Sequence, residues 1–200
     1  HHPDKVATNP YLAFHINVTA LSYFLTKVTN IKTLYYSSTE TVYGESPEGY
    51  SFCENDNTGP ANMYGKQKLI AEGIIIAHGF NVVRYSLLIG PSLTPKPHFF
   101  DFILNEVKAK RMTDMMSDFC RNPIDFDQAS SLTMELIEKY GSKQIGIVNM
   151  AGDEILSKYQ IAQKVVKYAG LESEYLNPIT SDKFGGFSAV RAKDTLVNNS

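Results

Sequence analysis

The stretch NMYGKQKLIAEGIIIAHGFNVVRYSLLIG, residues 62–90, decides the fold. Its first part has helical periodicity and closes near Gly79; its second, NVVRYSLLIG (81–90), is a short β-prone run of the kind that forms a buried strand. Upstream, KTLYYSS (32–38) carries apolar residues on both pleat faces, as a strand covered on both sides requires. Before it, NPYLAFHINVTALSYFLTKVTN sets Asn9 at a helix cap, Pro10 at the first helical position, and Leu12, Ile16, Ala20 and Phe24 along one face, predicting a core-facing helix. The text between Tyr43 and Asn62 is rich in Gly, Pro, Ser and Asn and reads as a loop.

Downstream, GPSLTPKPHFF holds three of the nine prolines and reads as a crossover loop leading into a helix near residues 101–110. QASSLTMELIEKYG is helical, KQIGIVNMAG a strand, and LSKYQIAQKVVKYAGL an amphipathic helix with Ile161, Val165 and Tyr168 on one face. The last thirty residues are loop-like apart from one strand near residues 174–179. Helices alternating with buried strands predict an α/β fold with a mostly parallel sheet. Residues 1–90 are expected to form the sheet-centred domain and residues 91–200 mainly a smaller lobe, with 124–150 returning to the sheet.

With 19 basic and 21 acidic residues the net charge is −2, so no broad basic field is available for nucleic acid or an anionic membrane. Cys53 and Cys120 stand far apart, outside any CxxC spacing, and the five histidines show no metal-ligand spacing. Met112, Met115 and Met116 read as packing for the smaller lobe. No apolar run reaches a membrane span, and the start, HHPDKVATNP, lacks the pattern of a signal peptide, so a soluble cytoplasmic protein is expected.

The chemistry centres on Tyr64 and Lys68, four residues apart and therefore on one helix face, with SSTETVYG ending the strand upstream. An ammonium beside a phenol favours the phenolate and lowers its pKa. Such a tyrosine can exchange the proton that balances hydride transfer at a carbinol carbon, with Thr39 hydrogen-bonded to the same oxygen. Strand ends of a parallel sheet are also where ligands bind.

SSTETVYGE, YGKQKLIAE, NVVRYSLLIGPS and RNPIDFDQAS resemble the successive motifs of extended short-chain dehydrogenase/reductases that act on nucleotide sugars. NVVRYSLLIGPS, IVNMAGDEILSKYQIAQKVV and VRAKDTLVNNS are most similar to the dTDP-4-dehydrorhamnose reductases and their relatives. The resemblance implies a Rossmann-like sheet with a small C-terminal substrate-binding lobe, NAD or NADP as cofactor, and a nucleotide sugar as substrate. It assigns Thr39, Tyr64 and Lys68 as catalytic, Ser37, Ser38, Tyr64 and Lys68 to the cofactor, and Glu40, Thr41 and Arg121 to the substrate. Asn17 matches a family asparagine beneath the site; Arg84 is expected in a structural ion pair, and Tyr43 in packing. The family's dehydratases follow the threonine with an Asp-Glu pair, whereas Glu40 and Thr41 stand here, which favours a reductase, with a 4-epimerase and a non-catalytic regulatory subunit as alternatives. The family's glycine-rich turn occurs nowhere in this sequence, so the chain is expected to be a fragment, or a protein whose N-terminal portion has been lost. Family dimers form through two helices that correspond to residues 10–28 and 62–78, which makes a homodimer the expected assembly.

Overall fold

A computed structural model describes residues 2–199; His1 and Ser200, and the readings that fall on them, lie outside the described residues. The chain starts with a short helix α1 (Pro3–Thr8), then an almost unbroken helical rod: α2 (Pro10–Phe14), a π turn (His15–Thr19) and α3 (Ala20–Lys27). The predicted start is correct, because Asn9 Oδ1 accepts the Leu12 amide and Pro10 opens the first turn. The predicted buried face is not. Leu12, Ile16 and Phe24 are 55, 61 and 46% exposed, and the side chains that bury are Val18 and Leu25. The i, i+4 spacing specifies an apolar stripe, but only packing decides which stripe meets the sheet.

Strand β1 (Tyr35–Thr39), helix α4 (Met63–Ala77) and strand β2 (Asn81–Tyr85) form a unit of strand, helix and adjacent parallel strand, with Ser38 opposite Arg84 and Thr39 opposite Tyr85. Asn62 caps α4 by accepting the Gly65 amide at 3.0 Å, and Gly79, at φ +81°, turns the chain out of it. Val82 packs with Leu25 and Ile75 on one side of the sheet; its neighbour Val83 packs with Ile124, Ala129 and Met150 on the other. Both faces are therefore covered.

Beyond Tyr85 the predicted strand divides. Leu88–Ile89 forms a separate short strand, β3, because the backbone leaves the main sheet at Ser86. Next come α5 (Phe99–Lys108), β4 (Thr113–Met116), β5 (Cys120–Arg121), β6 (Ile124–Asp125), α6 (Phe126–Tyr140) and β7 (Ile147–Met150). They are followed by β8 (Leu156–Ser157), α7 (Lys158–Tyr168) and β9 (Leu176–Ile179). Strand β7 pairs parallel with β2, giving a main sheet of order β1-β2-β7; β6 pairs with β3, β9 with β4, and β8 runs antiparallel to β5. The fold is the mostly parallel α/β arrangement the periodicity predicted.

A second core, of Ile103, Val107, Met115, Ile161, Val165 and Leu176, holds α5 and α7 against β4 and β9. Tyr168, expected on that face, is 85% exposed at the last turn of α7, and Met112, expected to pack, is 65% exposed ahead of β4. No described helix is long and apolar enough to cross a membrane.

Candidate active site

Thr39 is the last residue of β1, and Tyr64 and Lys68 lie on the first two turns of α4, so the strand–loop–helix unit brings the three to one end of the sheet. They line a cavity of about 490 Å3 together with Ser37, Ser38 and Ser86. Gly65 lets this happen. A Cβ there would lie 2.9 Å from the Thr41 carbonyl oxygen and 2.7 Å from Pro60 Cβ, so only glycine allows α4 to approach the β1 loop so closely.

The electrostatics differ from the sequence expectation. Burial, with the Glu40 carboxylate and then Tyr36, pushes the Tyr64 phenol well above the ordinary tyrosine range, and the Thr39 hydroxyl only partly offsets this by hydrogen bonding. Lys68 does not lower it. The Lys68 ammonium donates to the Ser37 carbonyl oxygen at 2.6 Å and to the Tyr36 hydroxyl at 3.0 Å, and its Nζ lies 4.3 Å from the Tyr36 ring centre. Burial brings its own pKa down to about 8 and helps raise that of Tyr36 to about 12. The spacing of four set both side chains on one face, but β1 supplied the lysine with nearer partners.

Ser38 turns its hydroxyl inward to donate to Glu72, which forms a buried ion pair with Arg84 at 2.7 Å. Arg84 is thus the structural partner that was expected, lying 4.7 Å over the Tyr43 ring. Tyr43 packs in the core, stacks on Phe52, and donates its hydroxyl to Asn149. Asn17 donates to Gln67, whose amide reaches the Pro10 carbonyl oxygen, so it ties the helical rod to α4. Ser86, which sequence reasoning passed over, has a buried hydroxyl with no hydrogen-bond partner among the described residues, and it lines the same cavity. An orphaned buried hydroxyl normally signals a missing partner.

Thr39 Oγ1 donates to Glu40 at 3.0 Å and lies 2.9 Å from the Thr41 hydroxyl. Glu40 is buried with its carboxyl above the usual range, chiefly through desolvation, and faces Arg121 at 3.5 Å. Glu40 also lines a second cavity, of about 540 Å3, shared with Thr41, Arg121, Lys158 and Arg191. The structure therefore brings the expected catalytic residues to one cavity and the expected substrate residues to its neighbour, with Glu40 on the wall between them. Lys158 and Arg191 carried no sequence signal, because their partners lie far away in the chain.

The family model for the RmlD substrate binding domain matches residues 1–199. The chain belongs to this family. Within the extended short-chain dehydrogenase/reductase fold, this RmlD-family chain superimposes on a dTDP-4-dehydrorhamnose reductase from Bacillus anthracis in complex with NADP, with a TM-score of 0.83 and 23% identity over 98% of this chain and 68% of that one. A hypothetical dTDP-4-dehydrorhamnose reductase from Sulfolobus tokodaii matches at a TM-score of 0.82 and 24% identity, covering 98% and 67%. By sequence, the chain is 29% identical over 192 residues to methionine adenosyltransferase 2 subunit beta of Xenopus laevis, covering 92% of this chain and 56% of that protein. The chain thus spans a little over half the length of such curated relatives.

Proposed function

We propose that this RmlD-family chain is the catalytic and substrate-binding part of an NAD(P)-dependent reductase of a nucleotide-linked keto-sugar. Residues 1–90 carry the cofactor side and residues 91–200 mainly the substrate side. The observation that carries the reading is the convergence of Thr39, Tyr64 and Lys68 in one cavity, which shares a wall of Glu40 and Leu87 with a second cavity rimmed with cations.

The orphaned Ser86 hydroxyl fits a group that brings its own polar atoms to the first cavity. Ser37, Ser86, Tyr64 and Lys68 would hold a dinucleotide there, while Ser38 serves through its backbone because its hydroxyl is committed to Glu72. A reduced nicotinamide supplies the hydride when bound. Tyr64, neutral across the physiological range, donates its proton to the sugar carbonyl oxygen as that oxygen gains negative charge. Thr39 orients the phenol, and the Lys68 ammonium, held by the Ser37 carbonyl oxygen and the Tyr36 hydroxyl, keeps a positive charge at the end of β1.

In the full-length protein, Y64F should lower turnover by about 10²–10⁴-fold with little change in melting temperature, read as oxidation of NADPH or NADH with a keto-sugar nucleotide. Unchanged turnover in Y64F would remove the tyrosine from the chemistry. Net consumption of reduced cofactor also separates a reductase from a 4-epimerase, which returns its hydride to the same carbon. A second reading, a regulatory subunit without catalysis, is favoured by the likeness to methionine adenosyltransferase 2 subunit beta. It predicts no turnover with any sugar nucleotide, and co-sedimentation with a methionine adenosyltransferase catalytic subunit. The exposed Leu12, Ile16, Phe24 and Ile70 supply an apolar face for a homodimer.

A further inference from the structure

Lys96, Arg121, Lys158 and Arg191 line the 540 Å3 cavity; Lys96 is exposed to solvent, and both arginines are already engaged. Arg121 donates to the carbonyl oxygens of Cys120, Lys193 and Ala192 at 2.6, 2.9 and 2.9 Å and faces Glu40, so its guanidinium serves mainly to pin the C-terminal segment. Arg191 is paired with Asp4 at 2.6 Å, and its guanidinium lies 4.0 Å from the Phe187 ring centre.

Lys158 differs. It is the first residue of α7, directly after the Ser157 cap, and its backbone amide donates to the Phe119 carbonyl oxygen. Its Nζ lies 4.4 Å from the Phe99 ring centre, and no hydrogen bond or ion pair to another described residue occupies its ammonium. We propose that Lys158, rather than Arg121, receives the phosphoryl group of the ligand in this cavity. The proposal rests on the reading that the cavity takes a nucleotide-linked sugar.

The charged groups facing Lys158 are Arg121 from β5, Glu40 from the loop after β1, and Arg191 from the C-terminal segment. Burial, then the two guanidinium groups, bring its pKa down to about 7, with Glu40 opposing. A phosphoryl anion beside it restores the charged form, so binding takes up a proton near neutral pH.

The test is calorimetric titration of the chain, wild type, K158Q and K158R, with inorganic pyrophosphate and with thymidine diphosphate. K158Q should weaken pyrophosphate binding about tenfold or more, and K158R should retain it, because charge is what the group contributes. The ratio of wild-type to K158R affinity should fall about tenfold from about pH 6 to about pH 8, as Lys158 loses its proton and the arginine does not. That ratio cancels the ligand's own titration and needs no neutral variant to fold. Equal affinity in K158Q and wild type, or identical pH profiles for wild type and K158R, overturns the assignment while leaving the substrate reading intact. Failure of the wild type to bind either probe overturns both.

Discussion

Replacing Glu72 by glutamine should destabilise the chain far more than its near-identical shape suggests. The Glu72 and Arg84 side chains are 2 and 3% exposed, and Arg84 meets the carboxylate through Nη2 at 2.7 Å and through Nε at 3.2 Å to both oxygens. E72Q preserves volume and an acceptor but leaves a guanidinium buried without its counter-charge, a change that costs about 3–5 kcal/mol. Against a typical total of about 5–15 kcal/mol, that is a large fraction of the stability. For a chain of this size it corresponds to a fall in melting temperature of roughly 6–20 °C. Urea unfolding followed by circular dichroism gives the free energy directly. The double variant E72M/R84M, which removes both charges, should recover most of the loss. A loss below about 1 kcal/mol in E72Q, or a double variant no better than E72Q, would refute the reasoning.

Three further outcomes concern the buried titratable groups and two glycines of α4. Lys68 and Lys158 are held at about 8 and about 7, below the ordinary 10.5, so between those values and 10.5 the unfolded chain binds more protons and stability rises with pH. Tyr36 and Tyr64 are held above 10, so above that pH the unfolded chain ionises first and stability falls again; urea midpoints should peak near about pH 10, with a flatter rise in K68M/K158M. G65A should cost about 1–3 kcal/mol in thermal melts, because the new Cβ meets the Thr41 carbonyl oxygen, which cannot move without shifting the site. G73A, on the same helix with nothing within 4 Å, should instead stabilise by about 0.5–1 kcal/mol.

Elements with strong local signals were legible in the sequence. The Asn9-Pro10 start, α4 between Asn62 and Gly79, and the buried character of β2 all rest on capping groups and apolar spacing within a few residues of each other. The two-residue strands β3, β5, β6 and β8 were not legible, because so short a run contains no alternation to read and its pairing partner lies elsewhere in the chain. The outward turn of Leu12, Ile16 and Phe24 was missed for a related reason: periodicity marks a face without saying what the face meets.

The sequence by itself determined that this is a parallel α/β chain with Thr39, Tyr64 and Lys68 at a strand end and helix start, since those positions follow from chain order and helical spacing. Only the tertiary structure decided the charge state around them. Lys68 turned to Ser37 and Tyr36, Glu72 met Arg84, Glu40 met Arg121, and Lys158, over the Phe99 ring, was left without a hydrogen-bond or ion-pair partner for its ammonium among the described residues. Electrostatic energies depend on distance and burial rather than on separation along the chain, and both are set when the elements pack.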